Sequence, residues 1–144
     1  MKWARIAWLT LAAAAAGLGI WAAGWPIYQI SSCEIGAYSA AVPTVEACNE
    51  PIRDHFGADL YLVLAVPVVL CLLPAIRPRP AVEWAVAWVL FLSSAVGWFT
   101  VIGASSPSLL SMLGSLPITV SAFLVTISHR LVSAGRDRRS NPVS

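Results

Sequence analysis

The chain has 144 residues, of which 58% are hydrophobic and 11% charged, and a mean hydropathy of +0.76. Soluble domains carry about 25% charged residues, so a water-soluble core is excluded: the polar surface needed to cover this much apolar side chain is missing. The formal charge of +2 is uninformative as a total, so its distribution along the chain has to be read instead, and no nucleic-acid partner is expected.

Four apolar runs follow in order. Residues 6–27 hold no charge and as a helix would extend about 33 Å, against a hydrocarbon core of about 30 Å. A secretory signal peptide is the competing reading, given the basic start Met1-Lys2-Trp3-Ala4-Arg5 and the alanine tract at 12–16, but the run exceeds the usual apolar region of roughly 7–15 residues. Ala15, Gly19 and Ala23 recur at i, i+4, the small-residue spacing that lets two backbones approach in lipid. This face is therefore expected to pack against another helix.

The second run, residues 60–76, lies at the short limit for a span, and Pro67 near its middle predicts a kink. Residues 77–81 are too few for anything but a tight hairpin into the third run, residues 82–102. Glu83 adjoins that run and is expected in the headgroups, favoured by the helix dipole and by Arg77 or Arg79; a proton relay is the alternative. A second short turn, 103–108, leads to the fourth run, residues 109–131. Ser111, Ser115 and Thr119 repeat there at i, i+4. They are expected to hydrogen-bond to the backbone and to neighbouring helices, at about 0.6 kcal/mol each, with a polar path as the sharper reading. Pro117 is expected to bend this helix.

These runs predict an all-α integral membrane protein, a single membrane domain of four antiparallel transmembrane helices in an up-down-up-down bundle. Lys2, Arg5, Arg77, Arg79, Arg130, Arg136, Arg138 and Arg139, eight of the nine basic residues, fall on one side of that threading. The positive-inside rule then places both termini in the cytoplasm and residues 29–59 outside. One Lys against eight Arg, with abundant Ala, suggests a GC-rich bacterial genome, hence the inner (plasma) membrane. Trp3, Trp8, Trp84 and Trp88 fall near the inner ends of the spans, and Trp21, Trp25 and Trp98 near the outer ends, as interfacial anchors do. Residues 133–144 read as a disordered basic cytoplasmic tail.

Residues 29–59 form the one long polar segment. They carry five of the seven acidic residues, Glu34, Glu46, Glu50, Asp54 and Asp59, together with Cys33 and Cys48. In an oxidising compartment the two cysteines are expected to form a disulfide, which would hold a segment of few apolar residues in shape. Turns with one short helix between residues 46 and 55 are predicted. His55 beside Asp54 and Asp59 is too sparse a set for a metal site, and Cys71 reads as a small buried hydrophobe.

A four-span layout with a cysteine pair in its first external loop is also found in claudin-like proteins and in quinone-linked disulfide-forming enzymes. The chain lacks both the Gly-Leu-Trp motif of the first and the C-x-x-C that a thiol relay needs, so topology alone carries that likeness. The sequence predicts no catalytic, cofactor-binding or metal-ligating residue. The reading it favours is a non-enzymatic accessory or scaffold subunit of a larger bacterial membrane complex, meeting the lipid bilayer and other membrane subunits or copies of itself. The alternatives are a homo-oligomeric small transporter, channel or lipid-handling protein, or a membrane immunity or exclusion protein.

Overall fold

The structure, a computed structural model, describes residues 2–31, 33–101, 107–113 and 115–140; the side chains of Glu34 and of residues 136–140 are outside that description. Most of the predicted turn 103–108 and the last four residues of the predicted tail therefore lie outside the described residues. The described chain is largely helical and has no strand among the described residues. Its helices are α1 (Lys2–Ala23), α2 (Val45–Cys48), α3 (Ile52–Phe56), α4 (Ala58–Ile76), α5 (Pro80–Val101) and α6 (Leu116–Ser140), with 3₁₀ turns at Ile27–Ile30, Cys33–Ile35 and Leu109–Leu113. Four helical segments are long and apolar enough to cross a membrane.

Local chemistry sets the boundaries. Gly57 has φ +56°, a conformation open to glycine at little cost, and this one residue lets α3 end at Phe56 and α4 begin at Ala58. Asp59 in the first turn of α4 complements the helix dipole. α4 remains helical through Pro67 and Pro74, each of which removes one ladder hydrogen bond, and Pro78 and Pro80 bring it to a stop. Pro80 then opens α5, where its missing N–H is no loss.

The fourth run departs from expectation. Instead of one helix bent at Pro117, it is a 3₁₀ turn followed by α6, and Pro117 stands at the second position of α6. Proline lacks an N–H and drives the preceding residue away from helical geometry, so a proline near the end of an apolar run starts a helix more readily than it bends one. The carbonyl of Ser115 accepts the N–H of Thr119 at 3.2 Å as the first bond of α6. At its other end α6 continues to Ser140, where an irregular tail was expected from Ser133. Ala and Arg favour the helix there, and it simply extends beyond the apolar stretch.

Two cores result. In the first, Trp8, Leu11, Ala12 and Ala15 of α1 meet Cys71 and Ala75 of α4, Val86, Ala87 and Leu90 of α5, and Ile118 and Ala122 of α6. The small residues allow the backbones to close up: a Cβ on Gly19 would stand 3.2 Å from Leu64 Cδ2, so α1 and α4 touch nearly backbone to side chain. The second core lies under the polar segment and joins Ala23, Ile27, Ile30, Cys33, Val42, Cys48, Ile52 and Leu60. This segment is therefore a folded cap with its own apolar interior, rather than a loop of few apolar residues held by a disulfide alone. It contains two short helices where one was expected. Thr44 caps α2 by accepting the N–H of Ala47.

Backbone bonds fasten the cap to the bundle. The N–H of Ile27 donates to Glu50 O at 3.0 Å, and the N–H of Ile52 to Trp25 O at 2.8 Å, pairing the end of α1 with the start of α3. The Cys33–Cys48 disulfide closes the cap with a sequence separation of 15, a crosslink worth about 3 kcal/mol. Replacing both cysteines by Ser should therefore destabilise the cap by about that amount and leave the four-helix core in place. In detergent micelles, limited proteolysis should become fast between residues 33 and 48 with little change in helical circular dichroism.

Candidate functional site

Because the fourth run breaks before Leu116, its two halves pack differently. The 3₁₀ turn Leu109–Leu113 rests on α5 and α4, while α6 runs beside α5 and α1. Near the cap this leaves the space that a straight fourth helix would fill. The result is a cavity of about 450 Å³, within the roughly 300–1,000 Å³ of small-molecule sites.

All four membrane-length segments contribute walls. α1 supplies Ala15, Leu18, Gly19, Trp21 and Ala22, and α4 supplies Leu64 and Pro67. α5 supplies Gly97, Trp98 and Val101, while Ser111, Met112, Ser115, Pro117 and Ile118 come from the fourth run. Trp25, Gln29 and Ile30 close the cap side, and among the described residues no Asp, Glu, Lys, Arg or His is present in the lining. Ser111 donates its hydroxyl to Ser108 O. The hydroxyl of Ser115 has no protein partner among the described residues, although its carbonyl accepts from both the N–H and the hydroxyl of Thr119.

A second polar arrangement lies at the other end of α5. Glu83, expected in the headgroups, is 1% exposed. It shares the buried face of α5 with Val86, Ala87, Leu90, Ser94 and Gly97, so helical periodicity turns it inward. Its partner is neither Arg77 nor Arg79 but His129 of α6, whose Nδ1 lies 2.9 Å from both carboxylate oxygens. The histidine side chain is itself only 18% exposed. Arg130 lies over the ring of the adjacent Trp84 at 5.5 Å, a cation–π contact.

The sequence-predicted residues divide between these settings. Ala15 and Ala23 are buried and Gly19 faces Leu64, so this face of α1 lies against α4. Ser111, Ser115 and Thr119 do not share one helical face, because the 3₁₀ turn separates the first from the others. Ser111 and Ser115 line the cavity, while Thr119 is buried and donates to Leu90 O of α5 at 3.3 Å. Trp3, Trp21, Trp88 and Trp98 are exposed, and Trp25 and Trp84 half-buried. Trp8 is no surface anchor: it is 0% exposed, since it falls on the inward face of α1 with Ala4, Leu11, Ala12 and Ala15. Its indole N–H has no partner among the described residues. His55 lies 3.8 Å from Glu50, and no group of three or more metal-capable side chains occurs among the described residues.

No family model, no curated protein and no solved structure matches this chain. The site is therefore interpreted from its own geometry.

The buried Glu83–His129 pair makes a sharp prediction. His129→Leu leaves the buried Glu83 side chain without its partner and should cost about 1–3 kcal/mol or more, whereas replacing both partners by apolar residues is often close to neutral. Thermal denaturation in detergent should thus show a large loss for His129→Leu that Glu83→Leu, added in the same chain, restores for the most part. Equal loss in the single and double variants would show that the two side chains are not coupled.

Proposed function

We propose that this chain is a non-enzymatic lipid-handling protein of the bacterial inner membrane, which takes an apolar, membrane-dissolved molecule into the cavity between its spans. In this reading four antiparallel helices cross the bilayer in up-down-up-down order. Both termini and the 77–79 turn face the cytoplasm, and the disulfide-closed cap faces outward. The arginine distribution supports that orientation, and so does the disulfide, which persists in an oxidising compartment. Bulky apolar side chains exposed along the long helices, among them Ile20, Leu62, Val69, Phe99 and Leu124, suit contact with acyl chains.

The observation that carries the reading is the cavity itself, bounded by every span and free of charged side chains. An accessory or scaffold role, favoured by the sequence alone, drew on the absence of charge within the spans. Glu83, buried inside the bundle, removes that support, and a scaffold has no need of an internal chamber. The spacing of the hydroxyls also counts against a serine-lined path along one face of a single helix, because Ser111 is on the 3₁₀ turn.

Native mass spectrometry of the protein released from mild detergent should show a bound apolar molecule in defined stoichiometry. Gly97 lines the cavity and is buried, so Gly97→Leu, which fills the cavity, should abolish that adduct. A wild-type spectrum of bare protein, or an adduct unaffected by filling the cavity, would count against lipid handling.

A further inference from the structure

The exposed members of the lining show where the cavity opens. Leu18 and Trp21 of α1, Trp98 of α5 and Pro117 of α6 are exposed, while Ala15, Gly97, Ser111 and Ile118 are buried and form the floor. α4 contributes only the half-buried Leu64 and Pro67. The mouth therefore lies between α1 and α5, on the flank left open above the start of α6. It is a sideways opening on the apolar belt rather than a pore along the helix axes.

Resting on the lipid-handling reading, we propose that the cavity selects a long-chain molecule with an uncharged polar end, such as an alcohol or a carbonyl compound, which enters laterally between Trp21 and Trp98. Two features identify this class. Among the described residues the lining holds no charge to pair with a carboxylate, phosphate or amine, and burying an ion without a partner is far more costly than burying a hydroxyl that finds one. The polar atoms present are neutral: the Ser115 hydroxyl, the acceptor lone pairs of Ser111, and Gln29 at the cap side. The Glu83–His129 pair lies at the other end of α5 and is not part of the lining, and both Glu83 oxygens lie within reach of His129 Nδ1. A fully apolar ligand would make no use of these neutral polar groups, and a charged one would find no counter-charge among them.

The test uses the full chain reconstituted in phosphatidylcholine vesicles. Three photoactivatable probes share one diazirine-bearing alkyl chain and end in a hydroxyl, a carboxylate or a phosphate. Labelled residues are mapped by peptide mass spectrometry in the wild type and in Gly97→Leu, with Ala22→Leu as a second filling variant should the first fail to fold. The alcohol should label Trp21, Trp98 or Met112 at least about tenfold more than either charged probe, as the cost of burying an unpaired charge requires. Both filling variants should abolish this labelling. Equal labelling of the same residues by the carboxylate or phosphate probe would overturn the neutral-end assignment and leave the cavity as a lipid site. Labelling by all three that is indifferent to filling would overturn the lipid-handling reading as well.

Discussion

Where the last long helix can begin is decided by Leu116 and Pro117. In hydrocarbon each backbone polar group needs an internal partner, so a segment crossing lipid is expected to be helical and irregular chain to be sheltered by protein. The fourth run meets this constraint in two pieces. Proline closes off the helix on its N-terminal side, Ser115 supplies the first acceptor of α6, and the residues before it wind into a 3₁₀ turn sheltered against α5 and α4. A continuous helix would have satisfied the same backbone groups but would have filled the flank between α1 and α5. The cavity lies where the two halves of the fourth run part, and α1, α4, α5 and both halves of that run supply its walls.

The cap makes this arrangement durable. It covers the ends of α1 and α4 and, through Leu109 and Met112, packs on the 3₁₀ turn as well. Its interior is assembled from isolated residues, Ile30, Val42 and Ile52 among them, each brought in by a different turn. The disulfide joins the Cys33–Ile35 turn to α2, and the paired backbone bonds between Trp25, Ile27, Glu50 and Ile52 fix the cap to the end of α1. Residues bordering the cavity, Trp25 and Ile30, are also part of or packed against this second core. Loss of the cap would therefore be felt inside the bundle.

How much of this was legible in the sequence differs from element to element. The four apolar runs are plain, because long stretches without charge have few other uses. Their ends shifted by a few residues, since helices such as α1 and α6 extend past the apolar stretch into Lys2 and Ser140. Glu83 was misplaced because what brings it inward is His129, 46 residues away, and nothing local announces that pairing. Trp8 was misread for a related reason: a tryptophan near the end of a span fits an interface or a core equally well until the neighbouring helices are in place. The core of the cap escaped notice because single apolar residues between turns have no periodicity to detect. The cavity was illegible in principle, being a property of how two halves of one run pack.

The contact between α5 and α6 shows what a buried polar pair can add to apolar packing. Apolar residues in place of Glu83 and His129 would often hold the helices as well, yet apolar packing allows a helix to rotate or slide at modest cost. Three directional contacts along this interface remove that freedom: Glu83 with His129, Arg130 over Trp84, and the Thr119 hydroxyl on Leu90 O. They are spread over α6 from its first turns to Arg130, so they fix its register as well as its rotation. That rotation places Pro117 at the rim and Ile118 on the floor of the cavity. Turned by one residue, about 100° on a 3.6-residue helix, α6 would present a different pair. The polar contacts away from the cavity in this way oppose turning or sliding of α6 and so hold the wall it contributes.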